Sequence, residues 1–124
     1  MLFTYPIEFE IPDSWLSEVG FIPRKPLLRA YIATNNPNYP TVNIPLQQVQ
    51  APKRDPGITG LHKERTISLL RAYTNNAPVP PIEVHLPPDA NDYYEVRDGY
   101  HRYYTSAAFG FTLLPVSIRD YFKM

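Results

Sequence analysis

Fifteen prolines are spread through 124 residues, and they limit how long any element can run. Proline lacks an amide donor and clashes with the preceding helical turn. In sheets it is confined to strand starts, edges and irregularities. The prolines recur in "FIPRKP", "NNPNYP", "APKRDP" and "APVPPIEVHLPP", so short strands joined by ordered loops are expected. Hydrophobic residues make up 44% and aromatic residues 14% of the chain, enough to fill a core and against disorder.

Twelve basic and twelve acidic residues balance, with a pI near 6.8. A general electrostatic grip on DNA or on an anionic membrane needs a basic field that this chain lacks. There are no cysteines, so disulfides, thiolate catalysis and sulfur-based zinc sites are absent. No apolar run approaches the roughly 20 residues of a membrane span. The opening "MLFTYPIEFE" has no basic segment and carries acids early, unlike a signal peptide. A single domain in the cytoplasm is the expectation.

Residues 3–11 alternate, with Phe3, Tyr5, Ile7, Phe9 and Ile11 on one side, and predict a half-buried strand. A short helix follows, capped by Asp13 or Ser14 and ended by Gly20. Residues 21–40 read as a long surface loop. Alternation returns at Val42, Ile44 and Leu46, and residues 50–60 read as loop. Thr66, Ile67, Leu69, Leu70 and Tyr73 form an apolar stripe at helical spacing, ended by Asn75 and Asn76. Strands follow over 79–86, with Ile82, Val84 and Leu86 in alternation, and over 93–98. A helix over 100–109 ends at Gly110, and a last strand over 113–118 turns Leu114, Val116 and Ile118 inward. The fold class is α+β: a small mixed sheet flanked by helices, with an added N-terminal strand and short helix. Residues 1–40 read as an extension to a core covering 41–120.

The chemistry concentrates in "DGYHRYYTSAAFG", residues 98–110. A strand, a glycine and a helix start make an anion seat, because first-turn amides point outward and the helix dipole favours negative charge there. Gly99 permits close backbone approach and positive φ. Arg102 can bond two phosphate oxygens, and His101 can donate hydrogen bonds and titrates near neutrality. A phosphate, as part of a nucleotide, is the most economical ligand. The competing reading makes Arg102 the salt-bridge partner of Asp98 and His101 structural. Neither His101 nor Arg102 reads as core. No Walker loop, HExxH or GxSxG motif occurs.

"VPPIEV" followed by "YYEVRDGYHRYYTSAAFGFTLLPVSI" resembles the ParB/sulfiredoxin superfamily over about residues 41–120. The shared pattern is a strand, a G-x-[HR]-R box, a small-residue helix ending in glycine, and a strand. The resemblance implies a ParB/sulfiredoxin-like fold and a nucleotide site for ATP or CTP, with Mg²⁺ arriving on the nucleotide. By position in that box, His101 and Arg102 would hold phosphates. Lys63 and Thr66, one helical turn apart, would match a lysine and serine on the preceding helix. A further threonine of that helix is Leu70 here, and the sulfiredoxin catalytic cysteine falls at Tyr100. Sulfinic acid reduction through a thiol is therefore excluded. The helix-turn-helix that follows this domain in ParB proteins is not present, so sequence-specific DNA binding by this chain alone is not expected.

Three readings follow. The chain binds an NTP and hydrolyses it or transfers its phosphoryl group, with Asp98, Glu64 and Asp55 the acids available as base or metal ligand. Alternatively it is a non-catalytic binding module whose N-terminal extension offers a protein-partner surface. Less favoured is a ParB-like nuclease, since no acidic metal cluster is apparent.

Overall fold

The structure is a computed structural model that describes residues 1–35, 37–53, 60–88 and 92–120. The prolines and glycines do cut the chain short: among the described residues, its strands span two to six residues and its longest helix twelve. In order they are β1 (Leu2–Phe3), β2 (Phe9–Glu10), α1 (Asp13–Glu18), β3 (Thr41–Pro45), a 3₁₀ turn (Leu46–Gln48), α2 (Lys63–Thr74), β4 (Ile82–His85), β5 (Glu95–Asp98), α3 (Tyr100–Phe109) and β6 (Leu113–Ile118).

Four strands form a mixed sheet in the order β3-β6-β4-β5. β6 runs antiparallel to β3, with Val42 opposite Val116, and parallel to β4, with Ile82 opposite Val116. β4 and β5 are antiparallel, with Val84 opposite Val96. The α+β class matches the sequence expectation, as does the order of helices and strands from α1 onward. Leu114, Val116, Ile82 and Val84 are wholly buried. Ile118, expected inward, is exposed, as are Val42 and Leu86 of the other alternating sets. Val42 lies on edge strand β3, Ile118 ends β6, and Leu86 follows the last residue of β4, so each lacks a covering neighbour on one side.

Three expectations are corrected. Residues 3–11 are not one strand: β1 and β2 pair antiparallel with each other, Phe3 opposite Phe9, as a separate two-stranded unit. The rings of Phe3 and Phe9 stack at 5.0 Å, while Tyr5 and Ile7 at the bend stay exposed. A period-two pattern persists across a bend, so it could not show where the strand stops. Residues 21–40 are not merely surface loop either. Ala30 and Tyr31 are buried, and Leu27 exchanges backbone hydrogen bonds with Gly110 and Thr112. The Tyr31 ring stacks on Tyr73 of α2 at 5.1 Å. Ile11, Leu16 and Tyr31 share one core cluster with Leu70, Tyr73, Phe109 and Phe111, so the N-terminal segment is built into the core. Helix α1 starts after Pro12 with no side-chain cap; neither Asp13 nor Ser14 provides one. Among the described residues no helix is long and apolar enough to cross a membrane.

Candidate functional site

Helices α2 and α3 bring their N-terminal turns together. His62 precedes α2 and Gly99 precedes α3, and neither helix has a side-chain cap. The backbone N–H of His62 donates to Nε2 of His101 at 2.9 Å, and the two imidazole rings are 5.6 Å apart. A nitrogen that accepts a hydrogen bond carries no proton, so in this arrangement His101 can donate only from Nδ1. His101 is 6% exposed, which corrects the expectation that it lies outside the core.

Gly99 has φ of 127°. A Cβ placed there would stand 3.0 Å from Cγ2 and 3.1 Å from Cγ1 of the buried Ile82. The close approach that demands glycine is thus against the sheet. It carries the chain from β5 into α3 over the sheet end, and it is required whether or not a ligand is present.

Arg102 acts as a clasp. Its Nη1 donates to the carbonyl oxygens of Pro80, at 3.2 Å, and of Pro81, while Nη2 lies 3.3 Å from Oδ2 of Asp98. The Asp98 pairing weighed as the structural alternative is therefore present, and Arg102 is more deeply engaged than a surface cation. The same Pro80 carbonyl accepts from the Tyr31 hydroxyl at 2.6 Å. Below it, Tyr73 lies 2.9 Å from Oγ1 of Thr105, which itself donates to the His101 carbonyl at 2.6 Å. Because Thr105 spends its proton on His101, Tyr73 is the donor to Thr105. Burial pushes the Tyr73 phenol up to about 12, and burial together with neighbouring Tyr73 pushes Tyr31 higher still. Both stay neutral donors at working pH and hold the first turn of α3 in place.

A cavity of about 540 Å³ opens over these two helix starts, lined by Glu64, Arg65, Ser68 and Leu69 of α2, by Val79 and Pro80, and by Asp98–Arg102. Of the residues singled out from the sequence, Gly99, His101, Arg102, Asp98 and Glu64 meet here. Lys63 and Thr66 do not. Lys63 turns to α1 and pairs with Glu18 at 3.1 Å. Thr66 is fully buried, and its hydroxyl has no hydrogen-bond partner among the described residues. Asp55 lies outside the described residues. Sequence reasoning missed Arg65 and Ser68, which lie about half a circle round α2 from Lys63 and Thr66. The i, i+3 spacing of Arg65 and Ser68 is the signal that could have found them. Arg65 is exposed, with no hydrogen bond or ion pair among the described residues. Among those residues no three His, Asp or Glu side chains group as a metal site.

No protein-family profile matches the chain, and no curated protein matches it in sequence. Its fold is similar to that of the C-terminally truncated chromosome-partitioning protein ParB from Caulobacter crescentus, solved in complex with CTP-gamma-S. The two superpose with a TM-score of 0.55 at 19% identity, over 68% of this chain and 46% of the ParB chain. The protein thus has a small ParB-like α+β fold, and the match spans less than half of that ParB chain.

Proposed function

We propose that this ParB-like domain binds a nucleotide through its phosphates, in the cavity where the first turns of α2 and α3 meet. The observation that carries the reading is the convergence of two uncapped helix N-termini on one cavity that also holds two guanidinium groups. Amides of a first helical turn and the positive end of the helix dipole favour an anion, and arginine matches phosphate oxygens in pairs. The solved ParB with CTP-gamma-S supports the reading by analogy of fold, and the sulfiredoxin-like G-x-H-R box at residues 99–102 supports it by sequence.

Within the site the roles divide. Amides at the start of α3 and the Arg65 guanidinium meet the phosphate oxygens. Arg102 holds the α3 start against the segment at Pro80 and Pro81, and its charge adds to the same field. Ser68 offers a hydroxyl from α2. Lys63 and Thr66 are not part of the proposed set. Magnesium would enter with the nucleotide, since Glu64 and Asp98 are the two carboxylates among the described lining residues and Asp98 is already paired with Arg102.

That pairing favours binding without turnover as the second reading: a carboxylate tied to a guanidinium is a weakened base. A nuclease reading draws no support from the described residues. Calorimetric titration with CTP and ATP, each with and without Mg²⁺, tests the proposal. Saturable binding of either supports it, and no heat with any of the four overturns it. Phosphate release measured under the same conditions separates turnover from binding alone.

A further inference from the structure

Helix α3 borders a second cavity, whose described lining residues are all different from those of the first. It has a volume of about 670 Å³ and lies between the bend at Tyr5–Ile7, the segment 47–51 after β3, and the end of the β4–β5 hairpin at Pro87, Tyr93 and Glu95. That size is in the range of small-molecule sites. Tyr103 reaches it from α3. The Tyr103 side chain is fully buried, and its hydroxyl has no hydrogen-bond partner among the described residues. A buried, unpaired polar group costs free energy that a bound partner would recover. Burial first, then Tyr104 and Tyr5, hold this phenol in its neutral form, so it can donate or accept.

The lining chemistry narrows the partner. Tyr5 and Tyr93 are half exposed and supply ring faces, with Pro6, Ile7, Val49 and Pro87 as apolar wall. Gln47 and Gln50 each offer an amide donor and acceptor. No lysine or arginine is among the described lining residues, so nothing there matches a phosphate or carboxylate. The one charged group among the described lining residues, Glu95, stands 3.3 Å from His85. The geometry points to a second binding site, for an uncharged planar heterocycle of nucleoside size that carries hydrogen-bond donors and acceptors on its edge. The N-terminal bend at Tyr5–Ile7 forms one wall, which gives the extension a binding role. This inference is independent of the phosphate site.

The test is a titration of the isotope-labelled full chain with cytidine and adenosine, followed by amide NMR shifts, with tetramethylammonium as the organic-cation control. The nucleosides are expected to move the amides of Gln47, Val49, Gln50 and Tyr93. Tyr103→Phe should weaken that binding about tenfold, the size of one lost hydrogen bond, while its melting temperature holds or rises. Gln50→Ala, at an exposed position, should weaken binding without loss of fold. Shifts confined to residues 98–102, a response to tetramethylammonium alone, no response to any probe at millimolar concentration, or undiminished affinity in Tyr103→Phe would each overturn the inference.

Discussion

The backbone amide of His62 donates to Nε2 of His101 over 2.9 Å, so a side chain at the start of α3 holds the start of α2. His101 is therefore a structural bond as well as a site residue. His101→Ala removes a buried acceptor and leaves the amide unpaired, at a cost of about 1–3 kcal/mol. Calorimetry without nucleotide should show a fall of several degrees in melting temperature. An unchanged melt would mean that the two helix starts do not depend on each other.

Arg102 and Asp98 form an ion pair whose members differ in worth. Asp98 is mostly exposed, and Asp98→Asn should cost no more than about 1 kcal/mol. Arg102→Ala also abandons the Pro80 and Pro81 carbonyls and should cost about 1.5–3 kcal/mol, the range for hydrogen bonds to a charged group. Lysine cannot reproduce the fork, so Arg102→Lys should recover little. Thermal melts of the three ligand-free variants check the ranking. Equal losses for Asp98→Asn and Arg102→Ala would show that the carbonyl contacts contribute nothing.

Arg65 and Lys63 separate the cavity face of α2 from its other side. Arg65→Ala should weaken nucleotide binding about tenfold or more, as one charge-assisted contact is lost, with little change in melting temperature. Lys63→Ala should leave affinity nearly unaltered and lose only its exposed pair with Glu18, about 0.2–1 kcal/mol. Titration calorimetry with CTP and ATP decides, and a larger loss at Lys63 than at Arg65 would reverse the assignment.

Gly99→Ala should destabilise by about 1–3 kcal/mol, because φ of 127° is costly for any residue with a Cβ. Contact with Ile82 adds to this cost. Measured in an Ile82→Ala background, the same change should cost less. A double-mutant cycle with zero coupling would assign the whole effect to the backbone.

The tyrosines predict the alkaline limit of the fold. Burial raises Tyr73 and Tyr104 from the ordinary value of 10 to about 12, with Tyr100 adding to the shift at Tyr104. Tyr31 and Tyr103 are raised further, chiefly by burial. The unfolded chain therefore releases these protons first. Their contribution is complete below pH about 10 and is lost as pH climbs through about 12. The tyrosinate absorbance of these four should rise only together with loss of fold. A single smooth titration of all ten tyrosines near their ordinary value would contradict their burial.

Local pattern was enough for the helix and strand order from α1 onward, though not for the split of residues 3–11 into two strands. The spacing of Thr66, Ile67, Leu70 and Tyr73 placed α2, and Gly99 and Gly110 bracketed α3 at Tyr100–Phe109, since periodicity and glycine stops act within a few residues. The turn at 98–102 was legible because its strand end, glycine and helix start are neighbours in sequence. The tertiary structure alone decided what each of those residues touches. Ile82 claims the space beside Gly99, the His62 amide claims His101, and Pro80 and Pro81 claim Arg102, all across sequence distances that no local pattern encodes, whereas the Asp98 pair of Arg102, four residues apart, was legible. The same holds for Tyr31, buried in a segment whose prolines and asparagines read as loop, because it packs on Tyr73 over forty residues away. Which face of α2 looks into the cavity was equally out of reach: a shift of two positions, from Lys63 to Arg65, turns a side chain by about half a circle. Only the packing of α2 against α1 and α3 fixes that rotation.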